Sequence, residues 1–170
     1  MNWKAKVLGC LMVAPIMVGA FGTTARAGQQ QIAASGMWRA VVATEGAQRT
    51  CFVLATPTTR MPSELRRDPG YLFVSLVRGK GTEFSSELGY PLADAGHVLT
   101  VEGHSYELTA RDATVWLRSP VEEPAVLSAM RAGRSLEVSV RSGRGNATTD
   151  TYDLGGFSAT LDELKKRCRP

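Results

Sequence analysis

"SLEVSVRSGRGNATTDTYDL" (residues 135–154) reads as two strands joined by a tight turn. In its first half, leucine and valines alternate with polar residues, which is the period-two pattern of a strand with one buried face. Glycine and asparagine in "GRGN" tolerate positive φ and favour a turn. The segment "TTDTYDL" (148–154) then returns as the partner strand. The stretch therefore predicts an antiparallel hairpin.

Outside this hairpin, the chain carries further short strands separated by glycine and proline turns. Strand patterns fall at 37–43, 50–56, 71–77, 96–103, 105–110 and 113–117. The segment "YLFVSLV" (71–77) is almost continuously apolar, which predicts a central strand covered on both faces. The prolines of segment 57–69 predict irregular backbone there. About eight short strands in this arrangement favour a mainly β fold, an antiparallel β-sandwich.

Two segments have helical patterns. Residues 124–132 begin with proline and are followed by glycine, which favours one short internal helix. Residues 157 to about 167 place Phe157, Leu161, Leu164 and Cys168 on one face and end in three basic residues. The second pattern predicts a C-terminal helix whose apolar stripe, including Cys168, packs on the core.

The first 27 residues have the layout of a secretory signal peptide. Lys4 and Lys6 precede an apolar run of about 16 residues, shorter than the roughly 20 that span a bilayer. Ala25-Arg26-Ala27 is a small-x-small cleavage pattern, so we expect cleavage after Ala27 and removal of Cys10. The expected organisation is a signal peptide at 1–27, a flexible N-terminus at 28–36 and a single β-sandwich domain at 37–170, with no transmembrane anchor after cleavage.

Charge gives no support for nucleic-acid binding. The whole chain has 20 basic and 16 acidic residues and a formal net charge of +4. Removal of Lys4, Lys6 and Arg26 leaves 17 basic residues against the same 16 acidic ones, so the mature net charge is about +1. A near-neutral chain lacks the excess of basic residues that attracts a phosphate backbone.

Cys51 and Cys168 remain after cleavage. Export carries them into an oxidising compartment, where an even number of cysteines favours a disulfide. The bond would close a loop of about 117 residues and stabilise the fold by roughly 4–5 kcal/mol in the chain-entropy model. A catalytic dithiol would have Cys-x-x-Cys spacing, and a metal pair would have histidine or cysteine neighbours, and neither pattern occurs.

The residues do not form a recognisable catalytic set. His97 and His104 are the only histidines, and we expect both at the surface or at strand edges. A hydrolase acting through His104 and Ser105 is the enzymatic alternative, but it lacks a Gly-x-Ser-x-Gly elbow and an evident acid partner. We therefore expect no catalytic residues, no metal and no cofactor. The aromatic residues mostly fall within strand and helix patterns, so we expect core packing for most of them.

Arginines are the remaining candidates for a binding site. Arg66 and Arg67 precede the apolar strand, and Arg141 and Arg144 flank the hairpin turn. Guanidinium groups suit carboxylates and phosphates, so these four residues are a possible anion-binding cluster. The competing interpretation is structural: Arg66 or Arg67 pairs with Asp68 or Asp150 and holds a turn.

Four segments together resemble the invasion-associated locus B family of bacterial envelope proteins. They are "CFVLATPTTRMPSELRRDPGYLFVS", "ELGYPL", "VLTVEGHSYEL" and "AMRAGRSLEVSVRSGRGNATTDTYDLGGFSATLDELKKRC". The likeness extends from about Trp38 to Cys168, and its most specific part is the strand, double glycine, aromatic and terminal cysteine in fixed order. It implies an exported β-sandwich of immunoglobulin-like kind in the envelope of alphaproteobacteria, with no established catalytic residues.

The expected function follows from these observations together. We expect a non-enzymatic protein of the periplasm or outer envelope that serves as an interaction or structural module. The resemblance adds a link to host-cell invasion, with an unidentified envelope or host protein as partner. The alternative is a binding module for an anionic envelope ligand that uses the arginine cluster.

Overall fold

The computed structural model describes residues 28–168. The expected signal peptide and Cys10 lie outside this range. Within it, eleven strands and two α-helices form. The strands are Gly28–Ser35 (β1), Trp38–Glu45 (β2), Gln48–Ala55 (β3), Thr59–Met61 (β4), Tyr71–Val77 (β5), Gly81–Glu87 (β6), His97–Val101 (β7), His104–Arg111 (β8), Thr114–Leu117 (β9), Ser135–Arg141 (β10) and Ala147–Asp153 (β11). The helices are Glu123–Ala132 (α1) and Phe157–Arg167 (α2), and a 3-10 turn at Pro120–Glu122 leads into α1.

All the strands belong to one antiparallel sheet, in the order β1-β2-β3-β5-β6-β9-β8-β7-β10-β11-β4. The mainly β class, the short internal helix, the C-terminal helix and the β10–β11 hairpin are therefore confirmed. Four strands separate β6 from β11 in the sheet, yet the hydroxyls of Ser86 and Tyr152 lie 3.3 Å apart. The sheet thus turns back on itself and encloses its core. The immunoglobulin-like sandwich stays a prediction.

The core lies between the two halves of this curled sheet and the helices. Side chains that alternate along the strands point inward, including Val53, Leu72, Leu99 and Val138, all with no more than 1% exposure. Helix α2 covers the inner side of β1, β2 and β3 with the apolar stripe that its sequence predicts. Burial of such aliphatic side chains contributes about 1.5–3 kcal/mol each, which makes this core the main source of stability.

Three segments differ from expectation. Residues 28–35, expected to be a flexible N-terminus, form β1 and pair with β2 across a bulge near Ile32. Part of the segment expected to be irregular forms β4, because Thr59–Met61 pairs with β11. Strand β6 had no clear pattern in the sequence. Backbone hydrogen bonds to a neighbouring strand fix all three segments, and such long-range pairing leaves little trace in local composition.

Strand β5 is also covered differently from the prediction. Leu72 and Val74 are buried, but Tyr71, Phe73 and Ser75 on the other side are only half-buried. Coverage on both faces was therefore wrong, since one side of this strand belongs to the outer surface of the sheet.

Among residues 28–168, neither helix is long and apolar enough to cross a membrane.

Candidate functional site: a cationic groove beside the disulfide

The predicted anion-binding arginines separate into different environments. Arg67 has a side chain only 6% exposed, and its Nη1 lies 3.3 Å from Oδ1 of the fully buried Asp150. Its guanidinium also donates to the backbone carbonyls of Met61 and Pro62. Arg67 is thus committed to the fold, as the structural interpretation of the arginines predicts, and its assignment to an anion site was wrong.

Asp150 has a second partner that the sequence did not reveal. Nε of Arg60 lies 2.9 Å from Asp150 Oδ2, and the same guanidinium donates at 2.7 Å to the carbonyls of Asp68 and Leu88. Burial raises the pKa of the Asp150 carboxyl, although both guanidiniums favour its charged form. These ion pairs and hydrogen bonds hold the loop that contains Arg66-Arg67-Asp68-Pro69 against β11. The role of this loop in the fold is therefore that of a turn stabilised by ion pairs.

The other predicted arginines are exposed. Arg141 donates from Nη1 to the carbonyl of Gly145 at 2.9 Å and so supports its own hairpin turn. Arg66 and Arg144 are exposed. Among the described residues, no hydrogen bond or ion pair joins the Arg66–Arg67 pair to Arg141 or Arg144.

The two histidines also differ. His97 is buried, with Nε2 2.7 Å from the carbonyl of Ala93 and Nδ1 accepting the N–H of Arg141 at 3.4 Å. These partners fit a neutral ring protonated at Nε2, and the expectation of a surface or edge position was wrong for His97. His104 is exposed, and the hydroxyl of Ser105 lies 3.4 Å from that of Thr100. Within the described range, no histidine, cysteine and acidic side chains group as a metal site.

The disulfide is confirmed. Cys51 in β3 and Cys168 directly after α2 are bonded, with their Cα atoms 6.4 Å apart. The apolar stripe of α2 brings Cys168 to the core side of β3, where Cys51 is also buried. The bond therefore fixes the C-terminal end of α2 against the sheet.

Beside this bond lies a groove of about 1110 Å³, larger than the roughly 300–1,000 Å³ of an ordinary ligand pocket. Its walls are the β5–β6 hairpin, the start of α1 with its preceding turn, and the ends of β3 and α2. Apolar groups supply much of its surface. They are Leu76, Val77, Val121, Pro124, Leu127 and the disulfide.

Four basic side chains line the same groove: Arg49, Arg78, Lys80 and Lys165. All four are exposed, and none of them takes part in an ion pair within residues 28–168. Of these four side chains, only that of Arg49 has a polar contact with another described residue, at 3.3 Å from the carbonyl of Arg167. The groove thus combines an apolar body with a positively charged margin.

Glu123 is the single acidic residue of the groove lining. Its two carboxylate oxygens accept the N–H of Phe84 at 2.9 and 3.1 Å, where β6 extends past the end of β9. Burial raises the pKa of this carboxyl, and the hydrogen bond from Phe84 only partly opposes the shift. The groove lining thus carries four basic side chains against this one carboxyl.

Val121 stands at the edge of the groove with 87% of its surface exposed, the highest value of any large apolar side chain in the described range. Such exposure has no stabilising role in the fold. It extends the apolar surface of the groove toward solvent.

Sequence reasoning did not find this groove. Its cations come from β3, the β5–β6 turn and α2, which are separated by long stretches of chain. "RGKG" (78–81) was the one local signal, since it joins two basic residues to two turn glycines. Only the disulfide, which the sequence did predict, marks the place where these elements meet.

Comparison with known proteins adds no relative: no protein-family model, curated protein or solved structure matches the chain. The resemblance to invasion-associated locus B proteins therefore depends on the quoted residues and stays a prediction.

Proposed function

We propose that this chain is an exported, non-enzymatic binding module of the bacterial cell envelope, of the invasion-associated locus B type. Its ligand is a single-chain anionic amphiphile, held in the groove beside the disulfide. The anionic-ligand alternative from the sequence is thereby kept, but its site moves from the arginine cluster to the groove.

The single observation that carries this proposal is one concavity that combines an apolar lining with four cations that form no ion pair within residues 28–168. An apolar chain would be removed from water along Leu76 and Leu127, at about 0.8 kcal/mol for each buried CH₂. A phosphate or carboxylate head group would then meet Arg78 and Lys80 at the hairpin, where charge-assisted hydrogen bonds are stronger than neutral ones.

The disulfide supports the exported location. Bonds of this kind persist in oxidising compartments and are rare in the cytosol of mesophiles. A module in the envelope is surrounded by amphiphiles with phosphate and carboxylate head groups, so the proposed ligand class agrees with the proposed location.

Calorimetric titration with dodecyl phosphate tests the assignment. We expect binding that is lost with dodecanol, which lacks the charge, and with inorganic phosphate, which lacks the chain. The double variant Arg78→Gln/Lys80→Gln is expected to weaken binding at least about tenfold, since each 1.4 kcal/mol corresponds to a factor of ten. Arg144→Gln is the matched control and should bind as the unaltered protein does.

Two results would contradict the proposal. If the protein does not bind dodecyl phosphate, the proposed amphiphilic ligand is wrong. Weaker binding in Arg144→Gln, with no change in Arg78→Gln/Lys80→Gln, would return the anion site to the exposed arginines predicted from the sequence.

A further inference from the structure

One half of the sheet has an unusually apolar outer surface. On the side away from the core, the strands β2, β3, β5 and β9 carry six apolar side chains. These are Val41, Phe52, Leu54, Tyr71, Phe73 and Trp116, here called the aromatic face. Strand register places Leu54, Phe73 and Trp116 in one row across the sheet, interrupted only by Ser85.

The side chains of the aromatic face contact one another. The rings of Phe52 and Phe73 lie 5.7 Å apart in an edge-on arrangement, and those of Tyr71 and Phe73 lie 6.1 Å apart. Val41 beside them is only 6% exposed, although it points away from the core. Val41, Phe52, Leu54, Tyr71 and Phe73 therefore form a continuous patch on three adjacent strands, and Trp116 lies beyond Ser85.

The other half of the same sheet provides an internal comparison. The outward positions of β8, β7, β10 and β11 are nearly all polar. They are Ser105, Glu107, Thr109, Val98, Thr100, Glu137, Ser139, Thr149 and Thr151. A polar outer face is what an antiparallel sheet shows when water covers it. The side chains of the aromatic face are half-buried, apart from the buried Val41, and their composition is that of a surface that a partner covers.

Charged side chains beside the apolar residues of the aromatic face indicate what covers it. Arg39 on β2 stands at one side, in the same row as Leu54 and Phe73. Further along the same row, on β6 between Phe73 and Trp116, Glu83 and Glu87 flank Ser85. Among the described residues, none of these three charged side chains forms an ion pair.

This arrangement is self-complementary. A two-fold axis parallel to the strands and between β3 and β5 would place β2 of one copy over β6 of the other. Arg39 would then face the pair Glu83 and Glu87 twice, once on each side of a shared aromatic core. Isologous contacts of this kind are the commonest way in which identical chains associate.

We propose that the aromatic face is a dimerisation surface on which a second copy of this chain packs, sheet against sheet, with Arg39 opposite Glu83 and Glu87. Aligned sheets pack about 10 Å apart with interdigitated side chains, which the half-buried rings of Phe52 and Phe73 can provide. The groove remains open in this dimer, because Cys51 and Leu76, which line it, lie on the opposite side of the same strands.

The size of the surface predicts a weak dimer. Five strands about 4.8 Å apart and a length of about five residues give roughly 400 Å² for each copy. The pair then buries about 800 Å², below the roughly 1,000 Å² of a stable specific interface and in the range of weak, transient ones. Association should therefore depend on concentration, and a change in one central side chain should abolish it.

Sedimentation velocity of the purified protein, from about 1 to about 500 μM, tests this directly. We expect the weight-average mass to rise toward that of a dimer with concentration. Phe73→Ser should raise the dimer dissociation constant at least about tenfold, since a fully desolvated aromatic at the centre is lost. Val98→Ser, the matched control on the polar half, should leave the constant unchanged.

Charge reversal tests the relative orientation of the two copies. It leaves every aromatic side chain in place, so it stays informative even if Phe73→Ser fails to fold. Arg39→Glu should weaken the dimer, and Arg39→Glu combined with Glu83→Arg and Glu87→Arg should restore it. A protein that stays monomeric at every concentration overturns the proposal, as does a dimer that Phe73→Ser and Arg39→Glu leave intact.

Vesicles of phosphatidylethanolamine and phosphatidylglycerol test whether a membrane surface, and not a second copy of the chain, covers the aromatic face. A monomeric protein that floats with these vesicles, and loses this binding in Phe73→Ser, would assign the aromatic face to a membrane surface and overturn the dimer.

Discussion

At the scale of single residues, Asp150 is the one acidic residue in the described part of the chain that is buried. It is fully buried between Arg60 and Arg67, so its removal leaves two guanidiniums beside an uncharged group. We expect Asp150→Asn to lower the free energy of unfolding by about 3–5 kcal/mol, as breaking a buried ion pair does. Urea denaturation measures this, with Asp162→Asn as the control.

The control removes a similar bond from the surface. Asp162 lies 2.7 Å from Arg131, but both side chains are substantially exposed. Its loss should cost less than about 1 kcal/mol. Equal effects of the two variants would mean that the Asp150 cluster contributes no more than a surface pair.

Glu123 gives the fold a specific pH dependence. Burial raises the pKa of its carboxyl in the folded protein above the ordinary 4.5, so the folded state binds this proton more tightly than the unfolded chain does. The free energy of unfolding should therefore fall as pH rises through the interval just above 4.5. Glu123→Gln should lack this decline while its amide oxygen still accepts the N–H of Phe84.

Urea denaturation of both proteins between about pH 4 and pH 7 gives the difference in slope, which isolates Glu123 from the other carboxyls. Parallel curves would contradict the raised pKa. A steeper decline in Glu123→Gln would mean that folding lowers the pKa of Glu123 and does not raise it.

The sequence pointed to some of these residues because their neighbours along the chain are distinctive. Arg67 was a candidate because it follows another arginine and precedes an aspartate and a proline. Arg60 was not, because its partners Asp150 and Leu88 lie 90 and 28 residues away. The burial of His97 was missed for the same reason. Its Nδ1 accepts the N–H of Arg141, and the two strands that carry these residues are neighbours only in the folded sheet.

At the scale of elements, the approach of the β1–β2 turn to the start of α2 depends on glycine. Gly156 has φ of 90°, and a Cβ there would collide with the backbone carbonyl of Ser35. Gly79 has φ of 76° but open space around it. The two glycines share the left-handed backbone and differ in contact.

Alanine at these two positions therefore separates strain from collision. Gly79→Ala should cost about 1–2 kcal/mol, the penalty for a left-handed residue with a side chain. Gly156→Ala should cost about 2 kcal/mol more, because the backbone of Ser35 must also move. Thermal and urea denaturation measure both losses of stability. Equal losses would show that the β1–β2 turn and the start of α2 are not in close contact at Gly156.

The elements themselves were predictable to different degrees. Strand β5 and helix α2 have the predicted bounds because hydrophobic pattern and flanking turn residues agree. Strand β1, "GQQQIAAS", is polar and lacks an alternating pattern, and it forms because β2 offers an edge to pair with. Pairing of this kind is decided by tertiary context, which composition does not contain.

At the scale of the whole molecule, the Cys51–Cys168 bond joins the third strand to the end of the last helix. It closes 117 residues of chain, so its reduction should lower the free energy of unfolding by about 4–5 kcal/mol in the chain-entropy model. The slope of that free energy with urea should increase, because an uncrosslinked chain exposes more surface when it unfolds. Cys51→Ala/Cys168→Ala should behave like the reduced protein.

The folded state itself should survive reduction. Trp38 donates from Nε1 to the carbonyl of Asp153 at 2.8 Å, and its ring lies 4.7 Å from that of Phe157. These contacts hold the start of α2 without help from the disulfide. Besides the disulfide, its far end is held by the buried Leu164 and by the long contact of Arg49 with the carbonyl of Arg167, and it also forms one wall of the groove.

Reduction should therefore affect binding more selectively than folding. We expect Cys51→Ala/Cys168→Ala to keep its far-ultraviolet circular dichroism spectrum and to bind dodecyl phosphate several-fold more weakly, because the groove wall is less constrained. Dimer formation should not change, since the aromatic face is on the other side of the sheet. If dimer formation and dodecyl phosphate binding were both lost, the disulfide would support the whole sheet. If binding were unchanged, α2 would hold the groove wall without the disulfide.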